Sequence, residues 1–146
     1  MYNGFLHLHN TLRWLILLVA LATLLKYFIG WFSQKSWQKS DNILGIIFTS
    51  ILDLQLLVGL VLYLFLSPIT QTAFQDFGAA MKNDDLRFYT VEHIFMMIVA
   101  ITLVHIGRSR SKKVVGSRTK FGTALVFFGI AYMIILAAIP WGRVIM

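Results

Sequence analysis

The sequence contains no cysteine, and this absence excludes several kinds of site. Without thiols the chain cannot form disulfides, bind zinc or iron–sulfur clusters through sulfur, or attach haem covalently. Charge is also scarce, because charged residues make up only 13% of the 146 residues. That share is about half of the value for an ordinary soluble domain. A scarcity of charge on this scale directs attention to the apolar residues.

Apolar residues make up 58% of the chain, and they are concentrated in four long segments. A water-soluble chain of this length could not bury so much apolar surface, because small domains leave much of their surface exposed. Each segment reaches the roughly 20 residues that a helix needs to cross a bilayer. The segments run over residues 5–29, 43–66, 88–106 and 121–139. The sequence therefore predicts one all-α domain, residues 1–146, with four transmembrane helices.

Basic residues predict the orientation of these helices. Six of them are interpreted as one short loop between the third and fourth segments: Arg108, Arg110, Lys112, Lys113, Arg118 and Lys120. With the basic first loop, residues 33–42, they indicate the cytoplasmic side and contact with anionic lipid head groups. The N-terminus, the second loop (residues 67–87) and the C-terminus are then predicted outside. This clustering of charge also argues against nucleic-acid binding.

The connections between the segments predict how the helices are arranged. Short loops favour antiparallel neighbours, so we expect an up-down four-helix bundle in the inner (cytoplasmic) membrane of a bacterium. The second loop is the longest connection, and two structures suit it. It is either a short amphipathic helix on the outer surface or a mobile linker.

Histidines inside the predicted helices are candidate haem ligands. His9 and His93 lie near the outer ends of the first and third helices, at similar depth and on diagonal helices of an up-down bundle. This arrangement predicts a haem b held by His93 and by His9 or His7. His7 and His9 point about 200° apart on a helix, so at most one faces the interior. Arg13, one turn after His9, would then pair with a haem propionate.

The same side chains have a structural interpretation. His7 and His9 would be polar residues at the membrane interface, and His93 would form a hydrogen bond to a neighbouring helix. His105 has no second histidine at its depth, so a second haem with two histidine ligands is not expected.

Two carboxylates in the helices also need partners, because an intramembrane charge is costly. Asp53 lies near the middle of the second helix. It is expected to pair with Arg13, to be protonated and hydrogen-bonded, or to relay protons and contact a quinone. Glu92 either accepts a proton at the outer surface or serves as a helix N-terminal acid bonded to Arg87 or Arg143. The second interpretation of Glu92 is favoured.

Several stretches resemble a family of small four-helix membrane proteins of Bacteroidetes-type bacteria that are often labelled "cytochrome B". They are DLQLLVGLVLY (53–63), LRFYTVEH (86–93), IGRSRSKK (106–113) and IPW (139–141). The resemblance extends over nearly the whole chain, including the opening that contains His7 and His9. It implies haem binding. By this resemblance, the residues of the haem site would be Arg87, Glu92, His93 and the N-terminal histidines. Members can have a histidine near the position of Asp53, which this sequence lacks.

Two functions follow as predictions. One is electron transfer through a b-type haem, between a membrane quinol and a periplasmic or respiratory-chain partner. The other is a non-catalytic membrane subunit or lipid-binding scaffold of a larger respiratory complex. A homo-oligomer is compatible with both functions. The sequence contains no Ser-His-Asp arrangement, phosphate-binding glycine loop or zinc motif, so no catalytic residue is predicted.

Overall fold

The structure is a computed structural model that describes residues 1–143, and within that range it contains helices and no strands. Four helices are long and apolar enough to cross a membrane. They are α1 (Tyr2–Phe32), α2 (Lys39–Leu66), α5 (Asp84–Lys113) and α6 (Ser117–Ala138). Two short helices, α3 (Pro68–Gln75) and α4 (Phe77–Ala80), lie between α2 and α5. The predictions of an all-α protein and of four helices long and apolar enough to cross a membrane are confirmed. The predicted location of the C-terminus concerns residues outside the described range.

The helices extend further than the apolar segments predicted. The prediction that all six basic residues form one loop between the third and fourth segments is therefore wrong. α5 continues to Lys113, and only residues 114–116 connect it to α6. Arg108 and Arg110 lie on the last turns of α5, whereas Arg118 lies on the first turn of α6. Lysine and arginine are good helix formers, and cations are favourable near a helix C-terminus. The helix therefore continues beyond the end of its apolar segment.

α2 begins before its apolar segment, at Lys39. Gln38 is the N-cap, and its backbone N–H donates to the carboxylate of Asp41 at 2.8 Å. The same carboxylate forms a salt bridge at 3.0 Å with Lys26 of α1. The hydroxyl of Tyr27 donates to the backbone carbonyl of Asp41 at 2.6 Å. Asp41 therefore caps α2 and also joins its first turn to the last third of α1.

The long helices pack in four pairs. α1 contacts α2 and α6, and α5 contacts α6 and α2. Alanines are fully buried along these contacts and let the backbones come close: Ala20, Ala100, Ala124 and Ala131. Aromatic rings fill the wider gaps, including Tyr27, Phe48 and Phe128. The core therefore combines alanines and aromatic rings with branched aliphatic side chains such as Ile16 and Leu52.

The outer surface of the four long helices is apolar. At most 33% of the residues in any membrane-length window are buried within the protein. Large side chains such as Leu18, Phe95 and Met133 each have 66% of their surface exposed. A soluble protein rarely exposes so much contiguous apolar surface. The helices therefore present the surface that a lipid environment requires.

Candidate functional site

A cavity of about 150 Å³ lies near the N-terminal end of α1, among the four long helices and α3. Its walls are largely apolar, with a few polar side chains. His9 and Arg13 come from α1, Gln55 from α2 and His93 from α5. An apolar pocket that contains a few convergent polar groups is typical of a small-molecule site. This cavity is the candidate functional site.

His9 and His93 meet at the cavity. Their ring centroids are 6.2 Å apart and their planes differ by 67°. The Nδ1 of His93 lies 2.7 Å from the backbone carbonyl oxygen of Ala138. A carbonyl only accepts hydrogen bonds, so Nδ1 carries the proton and Nε2 is left with a free lone pair. The structure thus brings together the two histidines that the sequence paired, across α1 and α5.

Four polar atoms of the cavity lining are buried without a hydrogen-bond partner. They are His9 Nδ1, Arg13 Nε, Gln55 Oε1 and the hydroxyl oxygen of Tyr89. Buried polar atoms are nearly always hydrogen-bonded, so four such atoms around one cavity call for an explanation. The amide nitrogen of Gln55 does have a partner, because it donates to the backbone carbonyl of His9 at 3.0 Å. Gln55 therefore joins α2 to α1 at His9, the candidate iron ligand.

Two π-helical segments border the cavity. The last five residues of α2, Leu62–Leu66, and an early segment of α5, Phe88–Glu92, both have this wider winding. The hydroxyl of Tyr63 joins them by donating to the backbone carbonyl of Thr90 at 2.7 Å. π-helical turns are rare and often occur at functional sites. The hydrophobic pattern of the sequence gave no signal for them.

Gly59 makes room for His9. A Cβ atom at this position would lie 3.3 Å from the Cε1 atom of His9. A larger residue on α2 would therefore displace the imidazole. A glycine inside a transmembrane helix was the available signal, but only the packing of α1 on α2 reveals its role.

The other predicted site residues lie away from the cavity lining. His7 is exposed on α1, whereas His9 faces the cavity. Glu92 accepts a hydrogen bond at 2.8 Å from Nε of Arg87, as the favoured interpretation expected. However, α5 begins at Asp84, so Glu92 is not a helix N-terminal acid. Arg143, the alternative partner of Glu92, bonds to Asp85 instead.

The expected pairing of Asp53 with Arg13 is wrong. The carboxylate of Asp53 lies 2.7 Å from Nε2 of His105 on α5. Asp53 and Arg13 differ in depth, and the packing of α2 on α5 brings His105 to the level of Asp53. The Asp53 side chain is 49% exposed and that of His105 is 45% exposed. This pair therefore lies on the outer surface of the helices.

The spacing of the two imidazole rings is close to that of two rings that share one metal ion. Two imidazoles that bind one metal at about 2.0 Å each place their ring centroids roughly 6 Å apart, and the observed distance is 6.2 Å. Within residues 1–143, no three His, Asp or Glu side chains converge. A pair of donors suits a metal that brings its other ligands with it, as haem iron does. The cavity is smaller than the roughly 300 Å³ of small-molecule sites, so a macrocycle requires the lining helices to move apart.

Comparisons with known proteins add no family. No family model matches the chain, and neither does any curated protein or solved structure. The resemblance to "cytochrome B"-labelled proteins stays a prediction.

Proposed function

We propose that this protein is a small b-type haem-binding protein that transfers electrons within a bacterial inner membrane. The observation that carries this proposal is the pair of histidine rings 6.2 Å apart at an apolar cavity. His93 and His9 would hold the iron, and haem b supplies a one-electron carrier when bound. A membrane quinol and a periplasmic or respiratory-chain protein are the redox partners that we propose.

The chain's own side chains would orient the group. The bond from His93 Nδ1 to the Ala138 carbonyl holds the imidazole in the tautomer that a metal needs. The guanidinium of Arg13, whose Nε has no partner, would bind a propionate. Gln55 holds the backbone of α1 beside His9. The apolar lining excludes water from the site.

The proposal includes an up-down four-helix bundle, with the N-terminus, the second loop and the C-terminus outside. In support of it, among the four long helices the most extensive contacts of α1 are with α2 and α6, and those of α5 are with α6 and α2. Such contacts are expected when α1 and α5 are diagonal in a bundle. The site would then lie near the outer surface.

The first experiment is an absorption spectrum of the purified protein, expressed with excess haem, before and after reduction with dithionite. Pyridine extraction then gives the stoichiometry. We expect a sharp reduced α-band and nearly one haem per chain. The variants His9→Ala and His93→Ala should each lose most of the haem, because each removes one of the two residues that would hold the iron. His7→Ala is the matched control and should keep it. A folded but colourless wild-type protein would overturn the proposal.

A second function is favoured by the small volume of the cavity. The protein would be a non-catalytic membrane subunit or scaffold, in which polar groups such as Gln55 and Tyr63 only join helices. Gln55→Ala would then lower the melting temperature in detergent, because it removes the bond to the backbone of α1, while the wild type never shows a chromophore. Copurification with a respiratory complex but without haem would favour this function.

A further inference from the structure

A second, open groove lies at the other end of α1, where α5 and α6 meet. Its volume is about 760 Å³. Trp31 of α1, Arg110 and Lys113 of α5, and Arg118 of α6 line it. From His9 to Trp31 the helix rises by roughly 33 Å, so the groove is independent of the histidine cavity. We refer to it as the basic groove.

Within residues 1–143, the cations of the basic groove have no acidic partner. The sequence contains six acidic residues. Five of them form ion pairs elsewhere, with Lys26, Arg87, His105 and Arg143. The sixth, Asp76, accepts a hydrogen bond from the backbone N–H of Ala79. A counter-ion for Arg110, Lys113 and Arg118 must therefore come from outside the described residues.

Aromatic rings position the two guanidinium groups. The guanidinium carbon of Arg118 lies 5.1 Å from the ring centroid of Trp31, and that of Arg110 lies 5.6 Å from the ring of Phe127. Cation–π contacts of this length are favourable and restrict the side chains. The indole N–H of Trp31 forms no hydrogen bond within residues 1–143, so a further donor is available. Gly122 brings α6 close to this indole, because a Cβ there would lie 3.4 Å from Nε1.

The floor of the basic groove is apolar. Val126 and Phe127 line it, and both belong to the membrane-spanning helix α6. Val126 has 59% of its surface exposed. A ligand of this groove must therefore offer an anionic group at one end and an apolar chain at the other. The planar guanidinium group of arginine matches two phosphate oxygens in geometry and in charge.

We propose that the basic groove is a specific binding site for an anionic phospholipid. The phosphate head group contacts Arg110, Lys113 and Arg118, and an acyl chain lies along Val126 and Phe127. A general attraction of the membrane surface for basic residues acts on all cations of the region alike. Binding in the groove would instead depend on the cations that line it and not on the neighbouring cations.

The test compares two double variants that remove the same charge. Arg110→Gln/Arg118→Gln removes two cations of the groove, and Lys112→Gln/Lys120→Gln removes two neighbouring cations that do not line it. The full chain is purified in a neutral detergent and titrated with phosphatidylglycerol. Lipid-bound species are counted by native mass spectrometry. Circular dichroism checks that both variants are folded.

We expect the groove variant to lose at least about tenfold in affinity for phosphatidylglycerol, as expected for the loss of charged hydrogen bonds. The control variant should remain close to wild type. Equal losses in the two variants would show a diffuse surface effect and overturn the proposal. Inorganic phosphate serves as a second probe. If it binds the wild type as tightly as phosphatidylglycerol does, the site is a phosphate site without a lipid chain, and the proposal is wrong.

Discussion

At the scale of single residues, Asp53 and His105 form the least expected contact in the protein. Their side chains lie 2.7 Å apart, and each is about half exposed on the outer surface of membrane-spanning helices. Water stabilises such groups in a soluble protein, but lipid does not. The hydrogen bond between the two side chains must therefore satisfy them. Because His105 is the partner, Arg13 remains available at the cavity.

Removal of His105 alone should destabilise the protein. In His105→Ala, the carboxyl of Asp53 has no partner in the membrane, so we expect the free energy of unfolding to fall by about 1 kcal/mol. Thermal unfolding in detergent measures the loss. In Asp53→Ala/His105→Ala, no polar group is left without a partner, and stability should recover in part. Equal stability of the wild type, the single variant and the double variant would contradict an energetic role for this pair.

At the scale of helices, glycines set the closest contacts. A Cβ atom at Gly107 of α5 would lie 2.4 Å from the Cβ of Phe127 on α6. Real atoms do not approach so closely, so the two helices pack backbone to side chain at this point. Gly129 on α6 differs, because a Cβ there would meet nothing within 4 Å. The two glycines therefore serve as a matched pair.

Gly107→Ala should lower the melting temperature, whereas Gly129→Ala should maintain or raise it. Alanine is a better helix former than glycine by about 1 kcal/mol, and only at Gly107 does a steric clash oppose this gain. Circular dichroism during heating in detergent measures both variants. If both substitutions shift the melting temperature in the same direction, the close packing of α5 on α6 does not limit stability.

At the scale of the whole molecule, the proposed orientation depends on where the cations lie. Arg108, Arg110, Lys112 and Lys113 belong to α5 and Arg118 and Lys120 to α6, on both sides of a connection of three residues. The positive-inside rule counts residues close to the helix ends, so the predicted orientation is unchanged by the helical structure of these cations.

The helix at the second connection, α3, buries Thr70 and Ala73 against the protein. The sequence left open a short helix or a mobile linker for this connection, and the structure contains a helix there.

Single cysteines can test this orientation, because the chain has none of its own. Lys82→Cys lies in the second connection, and Val115→Cys lies between α5 and α6, where Val115 is 92% exposed. A membrane-impermeant maleimide added to intact spheroplasts should label only Lys82→Cys. After permeabilisation it should label both. Labelling of Val115→Cys in intact spheroplasts would reverse the proposed topology.

The sequence by itself determined the helical class and the four membrane-spanning helices, because bilayer thickness sets a length of apolar chain that composition reveals directly. It also identified His9, Arg13 and His93 as polar residues that need partners. The helix ends were less predictable, since Lys39 and Lys113 are helical but not apolar.

Only the tertiary structure decided which polar residues meet. The rotation of α1 places His9 rather than His7 at the cavity, and the packing of α2 on α5 pairs Asp53 with His105. Helix rotation and relative depth depend on contacts between residues far apart in sequence, such as Gly59 with His9. The local pattern of apolar residues does not contain them, because in these helices lipid-facing and buried positions are both apolar.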